Sequence, residues 1–445
     1  MHVASLRVPL LTVLALLAAA TAPAQPATPP PAVPGAGPPA SRDLFEAIHV
    51  AVGPSARVLD PVAVVPAKCA STDACKDIDA ILPRDLTLSG YFKVLDPKSF
   101  LGDPANETIA VTRFQDWFNV GARYVVKAEA AGRGGTVDLE FRLLDVNEKK
   151  AIFVKGQTAR GVARTGVRRA THEFVNGVIE AVTGKRGIFG SDIVMSVKRG
   201  NWQRDIVSVE LGGTGTHVLV SNGSSNNFPR WAPGGAVLYT SFLPGHPSLH
   251  VGGRRITNDS REYRGADFSP DGSRIAASVD MGGQSDLVIV DPKTGEILKN
   301  LTNSSWDEVQ PTWAPDGSQV AFVSNRTGNP QIYAVPAGGG GERRLTMAGA
   351  YNTSPRFGRN GLVVFAGMDG FQSDIFTVDP SGTIARLTQD QGSNKDPSWS
   401  PDARYVVFLS NRDGGWKPFV MTEDGRYQYP LIDGAGAFAT PDWGR

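Results

Sequence analysis

Six aromatic residues recur in the C-terminal part of the chain and restrict its fold more than any other feature. Trp231, Phe268, Trp313, Phe357, Trp399 and Trp443 follow one another at intervals of 37, 45, 44, 42 and 44 residues. The first five open related phrases: WAPGG, FSPDG, WAPDG, FGRNG and WSPDA. A second mark keeps the same beat at Arg255-Ile256-Thr257, Asn300-Leu301-Thr302, Arg344-Leu345-Thr346 and Arg386-Leu387-Thr388. A period near 40–45 residues with several short strands per unit is the pattern of β-propeller blades.

The third unit shows the physics. Pro311-Thr312-Trp313 reads as a short inner strand. Ala314-Pro315-Asp316-Gly317 is a turn, with proline presetting φ and glycine tolerating a left-handed exit. Gln319 to Ser324 carries Val320, Ala321, Phe322 and Val323 in succession, so both its faces should be buried between neighbouring blades. Gln331 to Val335 and Glu342 to Thr346 complete four strands. The tryptophan is read as packing between blades, where a large ring buries much area, in preference to stacking on a ligand.

The two ends of the repeat fit together. Thr440-Pro441-Asp442-Trp443 stops the chain after one strand. Ahead of the first phrase stand three unclaimed strands, Asp192 to Lys198, Arg204 to Leu211 and His217 to Val220. One strand plus three makes a sixth blade and leaves the ring without a free edge.

Upstream the periods mix. Ile48 to Val52 and Val62 to Val65 are short β-branched runs, and Ile78 to Tyr91 has helical spacing. Arg113 to Val120 reads as a short helix before a strand Tyr124 to Ala128. Thr136 to Val146 and Ala151 to Thr158 alternate as a hairpin, and Val162 to Val182 is a long helix stopped at Gly184. Arg164, Arg168 and Arg169 read as its solvated face. The fold class expected is multidomain: an N-terminal α/β domain with a mixed sheet, followed by an all-β six-bladed β-propeller closed by the C-terminal strand.

Arg7, the apolar run Val8 to Ala20 and Ala22-Pro23-Ala24 have the layout of a cleaved secretory signal, with an uncleaved anchor as the alternative. The domains expected are a signal peptide at 1–24, a Pro-rich disordered tether at 25–43, the α/β domain at 44–186 and the propeller at 187–445. Cys69 and Cys75 are the only cysteines. An oxidising compartment favours a local disulfide between them over two free thiols.

A formal net charge of +1 supplies no electrostatic footprint for nucleic acid. No G-x-S-x-G elbow, P-loop or dinucleotide fingerprint occurs, and the sequence suggests no catalytic residue, cofactor or metal. His246 and His250, four apart but interrupted by Pro247, are read as surface histidines. Asp271, Asp316 and Asp402 recur in equivalent turns and are read as turn formers, not as calcium ligands or a carboxylate dyad. The usable surface is then the mouth ringed by the connections that precede each inner strand. Asn227, Phe228, Glu262, Tyr263, Arg264, Glu308, Val309, Gln310, Thr353, Lys395 and Asp396 form a polar set of mixed sign with aromatic anchors, suited to a protein partner. An exported propeller enzyme and a glycan-binding propeller are the alternatives.

The phrase W-[AS]-P-D-G, strands ending Ser324 to Arg326 and Ser410 to Arg412, Ile332-Tyr333 and the Arg-Leu-Thr marks resemble the TolB family. So does the layout of signal, small α/β domain, a helix ending Thr183-Gly184 and the ring, over roughly residues 45–445. LTLSGYFKVLD, Leu86 to Asp96, resembles that family's first domain. The resemblance implies a non-catalytic periplasmic component of the Tol-Pal envelope system, and the chain is expected to be a monomer. Its propeller mouth would bind the peptidoglycan-associated lipoprotein, and its N-terminal region an inner-membrane TolA-like protein. Carried over by position, the lipoprotein contacts fall on Tyr263, Arg264, Gly265, Glu308, Val309 and Gln310. The Pro-rich stretch and the weaker phrases at Gly234 and at Phe357 to Gly361 depart from the family pattern.

Overall fold

The structure, a computed structural model, describes residues 58–444 apart from 70–71, 134, 214–215, 244 and 433–435. The expected signal, the tether and the strand Ile48 to Val52 lie outside the described residues.

The first domain runs β1 (Asp60–Val64), β2 (Lys68–Cys69), α1 (Thr72–Leu88), β3 (Phe92–Val94), α2 (Phe114–Asn119), β4 (Tyr124–Arg133), β5 (Thr136–Asp145), β6 (Lys150–Ile152), β7 (Thr158–Ala163) and α3 (Val167–Thr183). Its sheet has the order β3-β1-β4-β5-β6, with β2 also on β4 and β7 also on β5. The pairs among β1, β2, β3 and β4 are parallel, and those that β5 makes are antiparallel, so the sheet is mixed. Alternation in β4 and β5 sends Val126 and Leu143 to the face covered by α1 and α3, and Val125 and Leu144 to the face covered by Trp117 of α2. Phe174 of α3 stacks on Phe141 of β5 with centroids 4.7 Å apart.

Four sequence expectations need correction. The first helix starts at Thr72, ahead of its apolar stripe. The single strand expected over Ala151 to Thr158 breaks into β6 and β7, because residues 153–157 turn against α3. A Cβ on Gly177 would sit 2.1 Å from the Lys155 carbonyl oxygen, so glycine there admits the turn. The long helix begins at Val167, five residues later than expected, since 158–163 pair with β5. Gly184 ends it in a left-handed cap, φ 74°. Arg164 and Arg168 are not simply solvated: both pair with Asp77 of α1, at 3.0 and 3.4 Å.

The rest is six four-stranded antiparallel sheets. Their inner strands are Asn226–Trp231, Tyr263–Phe268, Glu308–Trp313, Tyr351–Phe357, Asn394–Trp399 and Phe438–Trp443. The last of these pairs with Asp192–Lys198, Phe438 opposite Val197 and Trp443 opposite Ile193. The C-terminal strand therefore closes the ring on the first propeller strand. The strand Gln319–Ser324 buries both faces, whereas the outermost strand of that blade is only Arg343–Arg344, shorter than its sequence suggests. The blades with the weaker phrases are regular four-stranded sheets.

The first five inner strands each lead from an inter-blade loop to a turn of the Pro-Asp-Gly kind or a variant of it, which gives the ring a loop face and a turn face. The α/β domain packs on the turn face. The Tyr405 hydroxyl donates to the Ser89 carbonyl (2.9 Å), and Arg84 Nη2 to the Leu431 carbonyl (2.6 Å). Leu86, Leu88, Tyr405, Leu431 and Trp443 belong to one continuous apolar cluster.

Candidate protein-binding site

The loop face is built from a motif repeated six times. Numbering ring positions from Asn226, Tyr263, Glu308, Asn352, Asn394 and Phe438, the backbone turns left-handed at the third position of each inner strand, at Phe228, Gly265, Gln310, Ser354, Asp396 and Thr440. Five of these six are not glycine, with φ between 48° and 57°, a region that costs an L-residue about 1–2 kcal/mol. In each case the pairing with the next strand slips at that point, which is a β-bulge. The bulges re-aim the residues before them, and the first and second ring positions acquire different jobs.

First positions are buried anchors. Glu308 is fully buried and accepts from Ser304 Oγ (2.8 Å), Ser324 Oγ (3.1 Å) and Arg326 Nη2 (3.0 Å). Burial pushes its carboxyl upward against those bonds. The Tyr263 hydroxyl donates to Asp259 Oδ2 at 2.9 Å. Asn226, Asn352 and Asn394 are likewise fully buried. Tyr263 and Glu308 therefore hold the loops from beneath the surface, and neither presents itself to a partner directly.

Second positions are half-exposed and ring the mouth: Asn227, Arg264, Val309, Thr353, Lys395 and Ala439. Lys395 Nζ lies 4.1 Å from the Trp416 ring centroid, and Arg264 pairs with the half-exposed Glu262. Of the bulge residues, Phe228 and Gln310 are half-exposed, while Gly265 and Asp396 are buried. Gln310 Oε1 accepts from the Ser354 amide (2.8 Å), and Ser354 Oγ donates to Asp396 Oδ1 (2.9 Å), so three neighbouring blades are tied at the channel.

Sequence reasoning missed the residues around this ring. Trp202, Leu243, Met281, Trp306, Met347, Tyr351 and Phe371 are exposed, and all seven stand on the loop face. Trp306 is 47% exposed and Phe371 wholly so. Among the described residues, the turns of the opposite face expose no large apolar side chain. Isolated aromatics inside polar loops, as in NSSWDE and MDGFQS, were the available signal.

Other readings resolve individually. Asp271, Asp316 and Asp402 accept the amides two residues ahead, at 3.0, 3.0 and 3.1 Å, and act as turn formers. His250 is buried and stacks on Tyr239, so it is not a surface histidine; His246 is half-buried. Cys69 and Cys75 are joined in a disulfide with Cα atoms 5.8 Å apart. Trp313 is fully buried, and its indole donates to the Asp267 carbonyl of the preceding blade at 3.1 Å. Among the described residues no group of three His, Cys, Asp or Glu is placed to hold a metal, and no helix is long and apolar enough to cross a membrane.

The class is thus an α/β domain joined to a six-bladed propeller that closes through its last strand and carries its exposed aromatic and Met side chains, among the described residues, on one face. Residues 179–445 match the TolB β-propeller domain and 49–152 the TolB amino-terminal domain, and the chain belongs to the TolB family. It is 36% identical over 383 residues to the Tol-Pal system protein TolB of Anaeromyxobacter dehalogenans strain 2CP-C, covering 82% of this chain and 85% of the relative. It is 29% identical over 377 residues to a TolB homolog of Chlorobium luteolum, with the same coverage. A crystal structure of TolB from Acinetobacter baumannii shares the fold at a TM-score of 0.73 and 23% identity, over 87% of this chain and 97% of that one.

Proposed function

We propose that this protein is a non-catalytic, monomeric adaptor of the Tol-Pal system, exported to the periplasm, whose propeller loop face binds a peptidoglycan-associated lipoprotein. The N-terminal region and α/β domain would engage an inner-membrane TolA-like protein, and the assembly would serve outer-membrane integrity and constriction during division. The names of the relatives support membership of the system. The observation that carries the binding face is the concentration of the propeller's exposed aromatic and Met side chains on the loop side, around the half-exposed ring. Large rings flanking polar and charged groups are the composition of an interface core and rim. The test is the double variant Arg264→Glu, Lys395→Glu against purified lipoprotein. Binding should weaken about tenfold or more with the fold intact. Unchanged affinity would remove the loop face from the reading.

A further inference from the structure

The opposite mouth of the channel, on the turn face, holds a small cavity that opens to solvent. Its walls include the fifth ring positions of the inner strands, among them Arg230, Arg356 and Asp442, together with Trp399. Arg230, Arg356 and Trp399 are each nine-tenths or more buried. Arg230 Nε, Arg356 Nε and Trp399 Nε1 meet no hydrogen-bond acceptor in the protein. The carboxylate nearest the two guanidiniums is Asp442, at 3.7 Å from Arg230 Nη1 and 4.0 Å from Arg356 Nε, too far for a hydrogen bond. Its oxygens are already engaged, by the Trp231 amide (3.0 Å) and by Ser398 Oγ (3.3 Å).

Three buried N–H donors on residues that line one cavity ask for a group that only accepts, since a buried donor without an acceptor costs about 1–3 kcal/mol. Charge agrees: three arginines, counting the exposed Arg359 at the rim, stand against two aspartates in the lining. The half-exposed rings of Trp231 and Phe357 add an apolar wall. From this geometry we infer that the turn-face mouth is a binding site for a small oxyanion, a carboxylate or a sulfate-like group, held between the Arg230 and Arg356 guanidiniums and the Trp399 indole. The site lies at the far end of the channel from the proposed partner face and does not depend on it.

The test uses the full-length mature protein and two probes, acetate and sulfate, titrated at constant ionic strength with chloride as the balancing salt. The Trp399 indole N–H resonance, identified from Trp399→Phe, should shift saturably with one probe or both, and the responding probe distinguishes a planar site from a tetrahedral one. In Arg356→Gln the dissociation constant should rise about tenfold, the loss of one charge-assisted bond. Trp399→Phe removes the donor and keeps an aromatic ring in the packed site, at the cost of some buried volume. It should fold normally and lose most of the anion-dependent rise in melting temperature. A response equal to that of chloride, no saturation, or the same stabilisation in both variants would overturn the site, and would mean that water alone satisfies the donors.

Discussion

His172 Nδ1 lies 2.6 Å from Asp85 Oδ2, and the pair sits where two helices of the α/β domain meet the first propeller blade. On its other side the imidazole faces Glu210 of the propeller, with Nε2 3.5 Å from Oε2. Arg168 reaches both Glu210 (3.6 Å) and Asp77 (3.4 Å). Burial alone would push the His172 pKa down; the bond to Asp85 and the pull of Glu210 outweigh it and hold the pKa up at about 9. That is above the ordinary 6.5, so the contribution of the imidazolium is complete below pH 6.5 and is lost as the pH rises through about 9. Asp85 acts in the opposite direction. Burial raises it to about 6 against the bond from His172, so its ionisation costs stability as the pH climbs from 3.8 through about 6. The His172 term is on the order of 3 kcal/mol at most. Urea midpoints should fall between pH 6.5 and 9.5 in the parent and stay nearly level over that range in His172→Gln. An equal alkaline loss in both would show that the clamp contributes nothing.

The clamp also fixes a glycine. Gly212 has φ 80°, and a Cβ there would fall 1.9 Å from Asp85 Oδ1. Gly212→Ala therefore meets both a left-handed backbone and a carboxylate that packing holds in place. Gly234, φ 83°, has nothing within 4 Å of its Cβ position. Gly234→Ala should cost about 1 kcal/mol from the backbone alone, and Gly212→Ala clearly more. Thermal melts of the two variants provide the comparison. Equal losses would mean that Asp85 moves aside freely.

The ring was legible because each blade needs the same large apolar side chain at the same place, and the period survives where the wording of the phrase decays. The orphan strand at Trp443 was legible by the same count. The mouth was only partly so. Alternation along an inner strand breaks at the bulge, and nothing in the residue types of Phe228, Gln310, Ser354, Asp396 or Thr440 announces a positive φ. Tyr263 and Glu308 therefore read as surface anchors when they are buried ones. Asp85 and His172 were invisible as a pair, since 87 residues separate them and only the packing of α1 on α3 brings them together. Their burial is a tertiary fact with no local signature.

The Cys69–Cys75 bridge closes a short loop, six residues in separation, at the entry to α1. Restricting so short a loop in the unfolded chain is worth about 2 kcal/mol. Cys69→Ser, Cys75→Ser should lower the unfolding free energy by about that amount and leave lipoprotein binding unchanged, because the bridge lies in the α/β domain, away from the loop face. Chemical denaturation and a binding isotherm on the same preparation test both halves. A change in affinity without a change in stability would contradict the placement of the partner site.

On the loop face, Trp306 and Phe371 are aromatic side chains that expose apolar surface a partner would cover. Trp306→Ala and Phe371→Ala should each leave the melting temperature within a degree or so of the parent, as surface changes usually do. At an interface hot spot the same truncations cost about 2 kcal/mol or more, some thirtyfold in affinity. Titration calorimetry against the lipoprotein separates the cases. If neither substitution weakens binding, these rings stand outside the interface.

Ring closure rests on one strand and gives the last expectation. Phe438–Trp443 supplies the inner strand of the first blade, Asp442 accepts the Trp231 amide of the next blade, and the Trp443 amide donates to Ser398 Oγ of the last (3.3 Å), so its loss opens two inter-blade seams. Trp443 is 2% exposed and packs against Tyr405, and its indole donates to Ser191 Oγ at 2.9 Å. Trp443→Ala should cost about 3–5 kcal/mol from the cavity and the lost donor together. Deleting residues 436–445 should be far more damaging, because it leaves the strand Asp192–Lys198 as an unpaired edge and uncovers part of the apolar cluster shared with the α/β domain. Limited proteolysis should then cut first in the blades flanking the missing strand, with an earlier thermal transition than the parent. A truncated chain that melts with the parent and resists protease equally would show that the ring does not depend on its last strand.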